Sequence, residues 1–292
     1  MLDTEVGADV GTDVGADVVG GLDALEIPDI PPQARWRRIL KAVLPPIIAA
    51  IVFIAIWQAL WASAIWPEYQ LPAPAAVGRE LLDQARGAHA LAIIWVSVHR
   101  AAFGFLMGVA IGTPLGLVLA KVPVLRSAFA PFLSGLQSLP SVAWVPAAIL
   151  WFGIQPSAIY FVVLLGSVPS IANGMLAGVD QIPPILLRVG TVLGAGRVAG
   201  ARHILLPAAL PGYLAGLKQG WAFSWRSLMA AELIANSPQL GVGLGQYLQD
   251  GQSLNDMPTV IAAIVLILLV GIGVELLVFR PLERSVLRSR GF

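Results

Sequence analysis

The polar side chains that can do chemistry in this sequence sit mainly inside two apolar stretches. In the first, Gln137, Ser138, Ser141 and Trp144 are grouped around Pro140 and Pro146. In the second, Lys218, Gln219, Ser224, Arg226 and Glu232 interrupt the run from about Gly212 to Ala235. Guanidinium, amide and hydroxyl groups without a nucleophile or a ligand set can bind and pass an anion, but they do not cleave bonds. Arg226 stands fourteen residues beyond Gly212, roughly 21 Å along a helix. At that depth it does not reach the near headgroups easily, so it is expected to face the bundle interior or a cavity. Gln219, seven residues earlier, shares its helix face. Arg226 as an anion-attracting group competes with Arg226 as a structural ion-pair partner of Glu232 or of another acid.

Catalytic readings find little support. There is no cysteine, and the three histidines, His89, His99 and His203, are scattered without a metal-ligand spacing. The apolar runs contain no aspartate, so an intramembrane enzyme with paired catalytic groups is not expected. No GxxxxGK[ST] is present. Gly241, Gly243 and Gly245 resemble a phosphate loop only superficially, since no Lys-Ser/Thr follows. A proton-coupled carrier favours inverted repeats and titratable midplane groups. No internal repeat is evident, and Glu232 near a helix end is a poor relay by itself. No nucleic-acid partner is expected.

The elements that position these residues follow from composition. Of 292 residues, 57% are hydrophobic and 12% are charged, against about 25% charged in an ordinary soluble domain. The deficit indicates a polytopic membrane protein in a lipid bilayer. Residues 1–34 are acidic and repetitive in Val, Gly and Asp, which predicts a disordered tail without the basic start of a secretory signal. Beyond it, residues 35–292 form a transmembrane domain. Apolar runs of spanning length lie at about Ala42–Ile65, Ile93–Ala120, Ala128–Phe152, Ser157–Val179, Gly212–Ala235 and Thr259–Phe279. The prolines of the third favour a kinked or broken helix. Irregular backbone at membrane depth is tolerated where it is buried in protein or lines a cavity. That makes Gln137, Ser138, Ser141 and Trp144 candidates for a translocation path; a kink filled by protein is the competing reading. Gly104, Gly108, Gly112 and Gly116 in the second run, and Gly212, Gly216 and Gly220 in the fifth, form faces for close helix packing.

Charge asymmetry orients the six spans. Arg35, Arg37, Arg38, Lys41, Lys121, Arg126, Arg188, Arg197, Arg202, Arg280, Arg284, Arg288 and Arg290 fall on one side, and only Arg79 and Arg86 on the other. Both termini are therefore expected in the cytoplasm. The segment of about 180–211, with Arg188, Arg197, Arg202 and His203, is a cytoplasmic loop, whereas Asn236–Pro258 is external.

Four stretches carry a family resemblance. They are Leu71-Pro72-Ala73-Pro74; Ser138-Leu139-Pro140-Ser141-Val142-Ala143-Trp144-Val145-Pro146 with Leu150-Trp151-Phe152-Gly153; the loop from Leu193 to Pro211; and Trp225-Arg226-Ser227-Leu228-Met229-Ala230-Ala231-Glu232. In this order they resemble the permease subunits of type I ABC importers, most closely the aliphatic-sulfonate, taurine and nitrate branch. The resemblance covers about Leu40 to Arg284. It implies an all-α fold of about six transmembrane helices and a non-catalytic role in the bacterial inner (plasma) membrane.

In that family the loop is a short coupling helix docked on the ATPase subunit. Leu193, Gly194, Ala195, Arg197, Ile204, Leu206 and Pro207 fall on its pattern. The family's Glu-Ala-Ala falls on Arg188-Val189-Gly190, so its glutamate is missing here and no contact of that group carries over. The resemblance further implies two ATPase subunits that hold ATP and Mg, a second permease chain and an external solute-binding protein. The permease itself binds no cofactor. The candidates for the translocation path are Gln137, Ser138, Ser141, Trp144, Gln219, Trp225 and Arg226. An aliphatic sulfonate is the first expectation for the solute. Taurine, nitrate and a pyrimidine vitamin precursor belong to the same branch, and no residue decides among them.

Overall fold

The computed structural model describes residues 35–87, 89–192, 194, 196–235 and 241–288. The acidic stretch 1–34 lies outside the described residues, as do Leu193 and Ala195. The regular structure among the described residues is helical. Helix α1 covers Arg35–Ala62. Most of it belongs to a unit that ends at Trp57, while the chain from Gln58 onward forms a second unit. By itself, α1 carries Pro45 and Pro46 in its first half. Its window Val43–Ala62, with mean hydropathy 2.3, is long and apolar enough to cross a membrane.

The second unit begins with α2 (Pro74–Arg86) and the long α3 (His89–Lys121). The run expected as a third span is not one traversing helix. Helix α4 (Pro123–Ser138) stops at Leu139, whose ψ of 131° is extended. A proline after it clashes with the helical conformation and forces that geometry. A single 3-10 turn, Ser141–Trp144, leads into α5 (Val145–Phe152). The two arms meet at 97°. A second proline, Pro146, sits in the first turn of α5, where its missing N–H costs nothing.

Helix α6 (Pro156–Asp180) follows, then the short α7 (Pro184–Val192). One turn, α8 (Arg197–Gly200), passes through a wider π-type turn, Ala201–Leu205, into α9 (Leu206–Ile234). Helix α10 (Leu244–Ser253) precedes α11 (Met257–Val274). A second π-type turn at Glu275–Phe279 continues into α12 (Arg280–Arg288). Among the described residues, four helices meet the length and apolarity needed to span a membrane, and the bent α4–α5 pair makes a fifth. The expected sixth span, α9, is long enough at 29 residues. Its Lys218, Gln219, Arg226 and Glu232 keep it outside that apolar set.

Helix α6 is the centre of the second unit. Its most apolar window is 61% buried, against 28% for α3 and 11% for the α11 run. It packs most extensively on α9 and next on α3. Both glycine faces read from the sequence land on it. A Cβ at Gly112 would stand 3.0 Å from the Val168 carbonyl oxygen, and one at Gly116 would stand 2.6 Å from that of Ala172. On the other flank, Gly174 and Gly178 of α6 oppose Gly216 and Gly212 of α9. A Cβ at Gly212 would come within 2.6 Å of the Gly178 Cα. Small residues let the backbones approach to where dispersion contacts replace a hydrophobic driving force that lipid does not supply. At the loop end of the bundle, Arg126 grips Asp180 with both terminal nitrogens, at 2.8 and 2.6 Å.

Candidate functional site

The break between α4 and α5 opens onto a cavity of about 360 Å³. Gln137, Ser138, Ser141 and Trp144 line it from the break, and Arg226 and Phe223 line it from α9. The sequence places the two sets at least 79 residues apart; the fold brings them to one place. Among the described residues, Arg226 is the single charged member of the lining. Its Nε donates to the Ala222 carbonyl at 3.2 Å, and its guanidinium carbon lies 4.6 Å from the Phe223 ring centroid. The backbone bond and the ring use one N–H and one face of the guanidinium. An Arg presents five donors in a fixed fork, so donors remain to meet an anion. The Gln137 Nε2 is buried and has no hydrogen-bond partner among the described residues.

Gln219 and Trp225 do not line this cavity; they line a groove of about 930 Å³ between α9 and α11. Arg226 reaches this groove as well. Trp225 is 7% exposed and stacks on Trp221 at 6.3 Å between centroids, so most of its ring belongs to the core.

Glu232 is not a partner of Arg226. It is 1% exposed, and its Oε1 accepts from Arg100 at 2.9 Å. Its Oε2 accepts from the Ser97 hydroxyl at 2.7 Å and from the Gly245 amide at 3.2 Å. Ser97 in turn accepts from the Leu244 amide at 2.8 Å. The first amides of α10, which have no intrahelical acceptor, are thereby satisfied. Arg100 and Ser97 have no role in the sequence reading. The signal available there is a lone arginine inside a long apolar run, which needs an acid somewhere in the fold.

The loop residues form a second site. The Gly190 position in α7 faces Ile204 of the π-type turn so closely that a Cβ would meet the Ile204 side chain. Ile204 and Pro207 flank a cleft of about 790 Å³ with Leu186, Val189 and His203. The His203 Nδ1 lies 3.1 Å from the Ala199 carbonyl oxygen, one turn back. Gly194 has φ of +71°, and the space that a Cβ would enter there is open to 4 Å. Leu206 is 36% exposed, as an apolar residue at a helix start. Arg197 opens α8; Leu193 and Ala195 lie outside the described residues.

Residues 112–284 match the family described as binding-protein-dependent transport system inner membrane component. This chain belongs to that family. The family identity fixes a membrane component of an importer of the ABC type, and the relatives are named as transport permeases, the non-catalytic part of such systems. The taurine transport system permease protein TauC of Escherichia coli is 28% identical over 87% of this chain and 93% of its own length. The bicarbonate transport system permease protein CmpB of Synechococcus elongatus is 29% identical with the same coverage, 87% and 93%. The putative aliphatic sulfonates transport permease protein SsuC of Bacillus subtilis is 27% identical over 89% of this chain and 91% of its length. A solved structure of the MetNI methionine ABC transporter in inward-facing conformations has a similar fold. The TM-score is 0.53 at 19% identity, over 67% of this chain and 95% of that one. The expected type I permease fold is thus the observed one.

Proposed function

We propose that this permease passes a small organic anion, in the first instance an aliphatic sulfonate, across the bacterial inner membrane. Two copies would form the pore, with two ATPase subunits binding ATP and Mg below it and a solute-binding protein outside. The observation that carries the reading is the cavity of about 360 Å³ whose described lining holds one guanidinium and no carboxylate together with the polar side chains of Gln137, Ser138 and Ser141 at the α4–α5 break. A sulfonate offers three oxygens to such donors, and charge-assisted hydrogen bonds are the strong ones. Relatives named for taurine, aliphatic sulfonates and bicarbonate are all anion or zwitterion transporters by name and are about equally similar to this chain. The shared chemistry, an oxyanion, is better supported than any one solute.

Coupling rests on the loop. Gly194 in its left-handed turn and the exposed apolar residues beside it, Val192 at 85% and Ile185 at 61%, suit insertion into a cleft of the ATPase. ATP-driven closure of the ATPase pair would then move the loop and switch the α6–α9 packing, which is how a two-state element transmits a local event.

The test is growth of a deletion strain and its complemented counterpart on an alkanesulfonate, taurine or sulfate as sole sulfur source. Failure on the alkanesulfonate alone, restored by the gene, supports the sulfonate reading. Equal growth on all three removes it, and labelled uptake of taurine, nitrate, bicarbonate and a pyrimidine precursor then identifies the anion.

A further inference from the structure

The groove between α9 and α11 holds a second cation that the anion reading leaves unused. Lys218 stands on the same face of α9 as Arg226, eight residues and roughly 12 Å nearer the loop. Its Nζ lies 2.5 Å from Glu275 Oε1 and 3.8 Å from Glu283 Oε2. Glu275 is the one charged residue in the otherwise apolar run Met257–Phe279. An acid in such a run is costly, and its default reading is functional. The helix also widens there: the π-type turn Glu275–Phe279 begins at this glutamate, and such turns are frequent at functional sites. Lys218, Gln219, Arg226, Glu275 and Glu283 all line the same groove of about 930 Å³.

The side chains of the pair are 41% and 36% exposed at the groove. Accessible partners can be exchanged.

We propose that Lys218 is a second station on the anion path and that Glu275, backed by Glu283, is its resident partner when the path is empty. An anion leaving Arg226 toward the loop end competes with the Glu275 carboxylate for the Lys218 ammonium. Once the anion leaves, the carboxylate returns, so the station does not hold its cargo. This inference rests on the reading of Arg226 as part of the path.

The experiment uses the full transporter in membranes, with labelled alkanesulfonate uptake and recovery of the assembled complex measured for each variant. Lys218→Gln/Glu275→Gln replaces the closer ion pair with two neutral amides and leaves only Glu283, 50% exposed, without its Lys218 contact. A structural pair predicts near-normal uptake for this double variant. The station predicts a fall of about tenfold or more at normal assembly, the size of a lost hydrogen bond to a charged group. Glu275→Gln alone leaves Lys218 only the more distant Glu283 as competitor, so it is expected to lower both the half-saturating concentration and the maximal rate, because the anion is held longer. Wild-type uptake by the double variant, or a Glu275→Gln rate that falls only with assembly, would overturn the proposal. Arg226→Gln is measured in parallel. Unchanged uptake there removes the Arg226 reading itself, whereas impaired uptake there with a normal double variant removes only the Lys218 station.

Discussion

The Arg100 guanidinium donates to the Glu232 carboxylate at 2.9 Å, joining α3 to α9 across 132 positions of sequence. The same carboxylate anchors the start of α10 through Gly245 and, by way of Ser97, through Leu244. One buried acid thus ties three helices. The pair is accompanied by hydrogen bonds on both carboxylate oxygens, the condition under which a buried ion pair is retained.

Glu232→Ala is therefore expected to destabilise the permease strongly, by about 3–5 kcal/mol, because it leaves the largely buried Arg100 without a counter-charge and frees the helix-start amide of Gly245. Glu232→Gln keeps the volume and an acceptor, so its loss is smaller. Thermal unfolding of the detergent-purified complex checks the order: wild type, then Gln, then Ala. Equal stability of all three would show that the pair contributes nothing.

The α6–α9 crossing gives a prediction of a different kind. A Cβ at Gly216 would run into the Gly174 backbone, and backbone cannot rotate away as a side chain can. Gly216→Ala is expected to cost about 1–3 kcal/mol as an overpacked contact, with less complex recovered from membranes. Gly78→Ala in α2 is the control. Nothing lies within 4 Å of its Cβ position, and Ala is the better helix residue by about 0.5–1 kcal/mol. A Gly216→Ala complex as stable as the control would mean that the two helices can separate freely.

These residues mark what sequence alone makes legible. The glycine faces were readable because a period of four on an apolar helix has one physical use, close approach. The break at Pro140 was readable because proline removes a donor and restrains the residue before it. Pairing was not readable. Glu232 has an arginine six residues away in sequence, yet its partner is Arg100, because helix direction and crossing geometry choose the neighbour and both are tertiary properties. Nor does hydropathy show that the third run turns by 97°, since an apolar composition suits both arms of a bent pair. The cavity that joins Gln137 to Arg226 exists only through that bend.

Tyr247 of α10 supplies a pH-dependent contact away from the spans. Its hydroxyl donates to Glu80 Oε1 of α2 at 2.6 Å. Burial, and then the hydrogen bond and charge of Glu80, raise the phenol pKa well above its ordinary value. A raised folded pKa means that the proton is held more tightly in the folded state. The contribution is fully present below the unfolded value of about 10 and is lost as pH rises through the folded one. Tyr247→Phe should cost about 1.5–3 kcal/mol at neutral pH, the range for a hydrogen bond to a charged group. The difference in melting temperature from wild type should narrow on going from pH 9 into strongly alkaline buffer. A difference that stays constant over that range would assign the effect to packing instead.

Gly194 separates an effect inside the permease from an effect on its partner. Its φ of +71° lies in the left-handed region, and the space beyond its Cβ position is open. A Cβ there has nothing within 4 Å among the described residues, so the internal cost expected is the backbone strain of about 1–2 kcal/mol, less for Asp or Asn. Gly194→Asp is accordingly expected to insert and fold normally. If the loop docks on the ATPase as proposed, the added carboxylate enters that interface and must be desolvated or left unpaired. Uptake should then be lost and ATPase co-purification weakened, while Gly194→Asn, of the same shape without the charge, retains more of both. Full uptake by the Asp variant would remove the loop from the coupling interface. Equal losses in Asp and Asn would place the fault in the added bulk rather than the charge.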